Sequence, residues 1–312
     1  VSRLNLAHGQ LGPDGAPQPA FVFQEEEKGG TTPKILVQDN ARRLWSVKWG
    51  SEVHAEVFAS RLLWAAGYVA EPSYYVRHGN VDSVGALGRA ERFINRANGN
   101  SFHDARFELR DKNVSPLIKS WRWDDNPFTG TRELNGLKIM SVLLSNWDAK
   151  DARDKGSNTA VIRVREDGGS ERTYYLINDW GACLGRWGGF VTREKWNCAD
   201  FASQTDSFVK GVEGGRVKFG FNGKRAAELA KQITAADVRW IMQYAGRITD
   251  SQLRDALRAS GATAAEMGCF TAALRNRIEQ LRRVASGEVD RKTIARRGNR
   301  LADLGDPVRN PR

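Results

Sequence analysis

The chain is short of the residues that build metal and disulfide sites: its 312 residues include 3 cysteines and 4 histidines. Cys183, Cys198 and Cys269 lie far apart without a CxxC spacing, and an odd number cannot all pair internally, so a disulfide framework is not expected. His8, His54, His78 and His103 show no HExxH-type spacing, which predicts no zinc site. No apolar run approaches the roughly 18 residues that a membrane-spanning helix needs. The opening VSRLNLAHGQ lacks a basic region followed by an apolar stretch. No transmembrane segment is expected, and the compartment stays open between the cytoplasm and export after loss of a signal peptide.

What the chain does have is 40% hydrophobic residues, enough for a substantial core, and a net charge of +11. That charge favours a polyanionic partner: the phosphates of a nucleotide, an anionic lipid or nucleic acid. Because Lys and Arg are spread over helix faces and the stretch after Glu288, nucleic acid is the less favoured of these.

Residues 1–20, rich in Gly, Pro and Ala, predict an extended lead-in. The runs FVFQEEE, KILVQD and RLWSVKW are short, bounded by turn formers, and alternate in the last two, which predicts an antiparallel sheet. SEVHAEVFASRLLWAAGY then changes to helical period, with Ser51 as expected N-cap and Gly67 as stop; this helix is expected to pack on the sheet. PSYYVRH and DARFELR predict further strands. RELNGLKIMSVLLSNW carries a broad apolar helical face, TAVIRV and RTYYLIND predict a hairpin, and SFVKGVEGGRVKFGF a second one turning at Gly214 and Gly215. Thr234 with Asp237, Thr249 with Gln252, and Thr263 with Glu266 have capping-box spacing and predict three closing helices. The expected fold class is α+β, a two-lobed protein-kinase-like fold with a β-rich N-lobe (21–110), a mainly helical C-lobe (111–287) and a basic, flexible tail (288–312).

The stretch SNWDAKDARDKGSN, Ser145 to Asn158, crowds acids, an amine and an amide directly behind an apolar helix. Phosphoryl transfer needs that mixture: cations for the nucleotide oxygens, oxygen ligands for a divalent ion, and a carboxylate to orient the attacking hydroxyl. Lys48, on a strand, can face the α and β phosphates, with Glu56 on the next helix as its anchor and Glu52, one turn earlier, in reserve. Asp148 can accept the hydroxyl proton and Lys150 can neutralise the γ phosphate, while Asn158 and Asp179 offer oxygen to magnesium. Gly181, following in NDWG, is expected to permit a sharp turn. SWRWDDNPFTGT forms either the lower cleft wall or a packed loop, and most of the 10 tryptophans are expected in the core or lining a cleft.

GGTTPKILV, VKWGSEVHAEVFASRLLWAAGY, NWD with Lys150 and Asn158, and NDWG together resemble the HipA-like serine/threonine kinases and, more distantly, the phosphatidylinositol kinases. NPFTGTRELNGL and NWDAKD resemble a group of uncharacterised bacterial proteins more fully, over most of residues 20–285. The resemblance implies a kinase-like fold with bound ATP and magnesium. It also implies that Gly29, Gly30, Thr31, Thr32 and Lys34 form the phosphate-facing loop, with Lys48 the nucleotide lysine, Glu56 its partner, Asp148 the base, and Asn158 and Asp179 the metal ligands. The catalytic loop departs from the pattern: Arg153 stands where the resembling proteins carry asparagine, and RDKGS reads as an insertion before Asn158. If that insertion displaces Asn158, Asp151 or Asp154 becomes the substitute ligand. The function expected is an ATP- and magnesium-dependent phosphotransferase acting on a protein hydroxyl or a small molecule. The alternatives are a pseudokinase that binds nucleotide without transfer and a basic nucleic-acid-binding protein.

Overall fold

Alternation along the first strands sets one face of a small sheet against itself. The structure, a computed structural model, describes residues 1–289 except 31, 118, 167 and 190, so Thr31 and the tail beyond residue 289 lie outside the described residues. Strands β1 (Phe21–Glu27), β2 (Lys34–Gln38), β3 (Leu44–Trp49), β4 (Ser73–Asp82) and β5 (Ser101–Arg110) form a closed barrel in the order β1-β2-β3-β5-β4. Closure comes from a short parallel pairing, Phe21 with Val81 and Val22 with Asp82, so the sheet is not purely antiparallel as expected. The inward set, including Phe21, Ile35, Val37, Trp45, Val47, Trp49, Phe102 and Phe107, fills the barrel. One register step away, Lys34, Lys48, Arg106 and Glu108 stand on the opposite face.

Helix α1 (Val53–Ala65) sits between β3 and β4 in the chain. It touches β4 and β5, but its apolar residues Phe58, Leu62 and Leu63 belong to the core of the helical lobe rather than the barrel core. The helix packs on the sheet as expected, but the sheet's charged outer face meets α1 through ion pairs rather than apolar surface. The N-cap is Glu52 rather than Ser51, and it caps nothing with its side chain, because its carboxylate is held by Lys48 and Lys195. The lead-in is tied down: Leu6 is buried, Arg61 Nε donates to its carbonyl, and Gln252 Nε2 donates to the carbonyls of Val1 and Leu4.

The helical lobe is built on α2 (Arg132–Leu143), capped by the Thr131 hydroxyl accepting from Leu134 N at 3.2 Å. A three-stranded sheet of β6 (Val114–Leu117), β7 (Thr159–Arg165) and β8 (Glu171–Ile177) follows the lobe junction. Next come α3 (Cys198–Ser203), the hairpin β9 (Val209–Glu213) and β10 (Arg216–Phe219), and α4 (Ala226–Ala230). Then α5 (Ala235–Ile241), α6 (Asp250–Ala259) and α7 (Ala264–Ala285) each begin with a complete capping box at Thr234, Thr249 and Thr263. The expected α+β class, with a β-rich first lobe and a mainly helical second one, describes this architecture.

One expectation fails outright. Cys198 and Cys269 form a disulfide joining the start of α3 to α7, and Cys183 is the buried free thiol. The 71-residue separation hides the pair; packing of Phe201 and Trp196 on Phe270 brings the two helices together.

Candidate active site

A cleft of about 320 Å³ opens between the barrel and the helical lobe. Gly30, Thr32, Lys34, Lys48, Glu56, Lys150, Asn158 and Asp179 all line it, so residues drawn from five separate sequence segments share one cavity. Gly29 is exposed at its mouth, and Asp148 joins through contacts to Asn158 and Lys150.

The roof starts with the β1–β2 connection. Gly30 adopts φ +76°, and Arg89 from the β4–β5 connection donates to the carbonyls of Gly30 (2.9 Å) and Lys28 (3.0 Å). Thr32 Oγ1 donates to Glu52 Oε2 at 3.3 Å. Lys34 and Lys48 are direct cross-strand partners, which puts two ammonium stems side by side.

Lys48 Nζ lies 2.5 Å from Glu56 Oε1 and also contacts Glu52 Oε2, so the reserve partner and the expected one act together. Glu56 Oε2 reaches Arg106 at 2.7 Å, Arg106 reaches Glu108 at 2.6 Å, and Arg110 reaches Glu108 at 3.1 Å and Glu27 at 3.0 Å. The result is a run of alternating charges along the cleft roof. Burial disfavours the charge on Lys48, but Glu56, Asp179 and Glu52 outweigh it and hold the amine above its ordinary value. Burial likewise opposes Glu52, yet Lys48 and Lys195 pull its carboxyl down to about 2. Burial pushes Glu56 up against the pull of Arg106 and Lys48. Deep in the same cleft, burial and the neighbouring Glu108 carboxylate push Glu71 up to about 8.

The opposite wall comes from the loop after α2. Asn158 Nδ2 donates to the Asp148 carbonyl at 2.6 Å, and Asn158 N donates to Lys150 O at 3.1 Å, which closes the loop across its insertion. Of the inserted residues, Gly156 and Ser157 line the cleft, whereas Arg153 and Asp154 are engaged in ion pairs outside its lining. Asp151 is fully buried, accepting from Trp123 N and from Arg153, and Asp154 takes two 2.9 Å bonds from Arg225. Their carboxylates are spent on arginines, so the substitute-ligand reading is not what the geometry presents. Trp123, whose Nε1 donates to Ala149 O at 3.0 Å, supports this loop from behind; SWRWDDNPFTGT is a packed loop, not the cleft wall.

Thr159 pairs with Ile177 across β7 and β8, which sets Asn158 beside Asn178 and Asp179. Asn158 commits its amide nitrogen to Asp148, leaving its carbonyl oxygen uncommitted. Asp179 Oδ1 accepts from Gly181 N at 2.9 Å, leaving Oδ2. Two hard oxygen donors in one cleft suit magnesium. Gly181 lies in the expected turn and does a further job: a Cβ there would sit 2.6 Å from Glu52 Cβ, so the missing side chain admits the Glu52 stem.

Several residues of the site carry no sequence motif. Arg106, Glu108 and Glu71 reach the cleft only through β-strand register and the α1–β4 turn. Lys224 reaches Asp148 Oδ1 at 3.1 Å because residues 223–224 run beside the loop after α2, with Lys224 N donating to Trp147 O at 2.8 Å. Arg277, buried in α7, donates to Leu143 O, Ser145 Oγ, Phe201 O and Thr205 Oγ1, and so anchors the backbone just ahead of Asp148.

No protein-family model matches the chain, and no curated protein matches it in sequence. Solved structures align with it at low identity. A Helicobacter pylori proinflammatory kinase, CtkA, aligns with a TM-score of 0.47 at 13% identity over 88% of this chain and 100% of that one. The Golgi casein kinase aligns with a TM-score of 0.43 at 10% identity over 88% and 72% of the two chains. Its structure with Mn/ADP bound gives 0.43 at 9% identity over 86% and 73%. Among the described residues no helix is long and apolar enough to cross a membrane.

Proposed function

We propose that the chain is an ATP- and magnesium-dependent phosphotransferase, of the kind its motifs share with HipA-like serine/threonine kinases. The observation that carries the reading is the convergence of Lys48, paired to Glu56, with Lys150, Asn158 and Asp179 on one cleft. In this reading Lys48, oriented by Glu56 and Glu52, holds the α and β phosphates, and the backbone of Gly29 to Thr32 with Lys34 covers the phosphate chain. Asn158 and Asp179 would hold magnesium, which when bound neutralises charge on the phosphate oxygens. Lys150 lies over the γ phosphate, and Asp148 orients the acceptor hydroxyl and takes its proton. Asn158, bonded to Asp148, couples the two halves of the site.

Titration with a nonhydrolysable ATP analogue and magnesium, followed by ATP turnover, tests this. Binding is expected for the native chain, with turnover lost in Asp148→Ala and Asp179→Ala while circular dichroism is unchanged. Absence of nucleotide binding overturns the reading. Binding with no turnover on any acceptor selects the pseudokinase alternative, and steep salt-dependent DNA or RNA affinity indifferent to ATP selects the nucleic-acid one.

A further inference from the structure

The base proposed above is flanked by more positive charge than its own chemistry requires. Asp148 Oδ2 lies 3.3 Å from Lys150 Nζ, and Asp148 Oδ1 lies 3.1 Å from Lys224 Nζ. One carboxylate shared by two ammonium groups leaves an excess cation at the point where an acceptor hydroxyl must arrive. Lys150 lines the nucleotide cleft, whereas Lys224 stands outside that lining and is 40% exposed in its side chain, so its charge faces the acceptor side.

The placement of Lys224 is built into the backbone. Gly223 packs so closely on the catalytic loop that a Cβ would sit 2.8 Å from Trp147 Cα, and Arg225 adopts φ +57° while binding Asp154. A non-glycine residue in that conformation is unfavourable unless its surroundings enforce it. Together these hold the segment in register with Asp148.

Beside the pair runs a ledge. Trp147 stacks on Trp187 at 5.1 Å, and Trp187 bridges to Arg193 in a narrow hairpin, closed by Gly188 N donating to Thr192 O at 2.8 Å, whose tip residue Val191 is 94% exposed. Arg186 and Arg193 outnumber Glu194 on this hairpin. Exposed Val191, the stacked indole pair and the net positive charge lie beside Asp148, and that charge complements an acidic chain.

We infer that the acceptor is a serine or threonine in an acidic peptide segment, and that Lys224 is a specificity-determining residue that pairs with a carboxylate of that segment beside the reacting hydroxyl. The inference rests on the phosphotransferase reading. In the step itself the acceptor Oγ forms a bond to the γ phosphorus as the bond from that phosphorus to the β–γ bridging oxygen breaks. ADP leaves, and the hydroxyl proton passes to Asp148. A carboxylate on the acceptor takes Lys224 by a charge-assisted bond, which also relieves Asp148 of one of its two cations.

The experiment uses two matched serine peptide libraries, one flanked by Glu and one by Gln, with the full chain. Binding is read from tryptophan fluorescence in the presence of a nonhydrolysable ATP analogue, and transfer from ATP is read in parallel. The Glu library is expected to bind at least 10-fold tighter. The preference should fall below 3-fold in Lys224→Met and persist in Lys224→Arg, with nucleotide affinity unchanged in both. Equal binding of the two libraries, binding of neither, or a preference that survives Lys224→Met overturns the inference. Loss of nucleotide binding by the native chain overturns instead the reading on which it rests, so the two failures are distinct.

Discussion

Asn158 Nδ2 donates to the carbonyl oxygen of Asp148 at 2.6 Å across the inserted residues of the catalytic loop. This one bond holds a proposed metal ligand against the proposed base, and it explains how the insertion is tolerated. Of the extra residues, Arg153 and Asp154 are held by Asp151 and Arg225, and Gly156 and Ser157 line the cleft. Asn158→Ala is expected to lower ATP turnover about 10- to 100-fold, the range typical of disturbed metal sites. Asn158→Asp, which keeps an oxygen donor, should retain more activity. Equal loss in both would show that the side chain acts only through its amide bond.

Lys48→Met should leave the chain folded and unable to bind ATP. Removing one partner of a buried ion pair normally costs about 3–5 kcal/mol, because the other charge is stranded. Here neither carboxylate is stranded: Glu52 keeps Lys195 at 2.5 Å and Glu56 keeps Arg106 at 2.7 Å. Thermal unfolding should therefore show a loss well below that range, while analogue titration shows no binding. Retained nucleotide affinity would remove Lys48 from the site.

Glu71, like Glu56 and unlike Glu52 and Glu108, makes stability fall as pH rises. Its ordinary value is 4.5 and the fold raises it to about 8, through burial first and then Glu108, with Arg106 and Arg110 opposing and Glu56 adding to the rise. The folded chain thus binds more protons than the unfolded one between these values. The stabilisation is complete below about 4.5 and is lost as pH rises through about 8, with a slope of at most about 1.4 kcal/mol per pH unit. Glu52 and Glu108, whose values are lowered, act with the reverse sign and only at acid pH. Urea unfolding at several pH values should show this decline, and Glu71→Gln should reduce it, leaving the part that Glu56 contributes. A slope identical in the two proteins refutes the assignment.

Opening the Cys198–Cys269 disulfide should destabilise the chain by about 4 kcal/mol, the loop-closure value for the 71-residue separation. Denaturant curves with and without reductant measure it. Cys198→Ser should reproduce the reduced protein, and insensitivity to reductant would deny the bond.

Local chemistry made much of this molecule legible. Strand alternation in KILVQ and LWSVKW, the Thr caps of the last three helices, and the glycines at 214 and 215 act within a few residues of themselves, so sequence alone determined those elements. The motif order of Lys48, Glu56, Asp148, Asn158 and Asp179 was legible for the same reason: each sits at a fixed offset from a recognisable strand or helix end. Tertiary structure alone decided the rest. The parallel closure of β1 on β4, the Cys198–Cys269 bond, the face on which α1 buries Phe58 and Leu62, the arrival of Arg106 and Glu71 at the cleft, and the pairing of Lys224 with Asp148 all depend on pairings across distant segments. Such pairings are set by which faces can be buried together in three dimensions, and no local spacing encodes that.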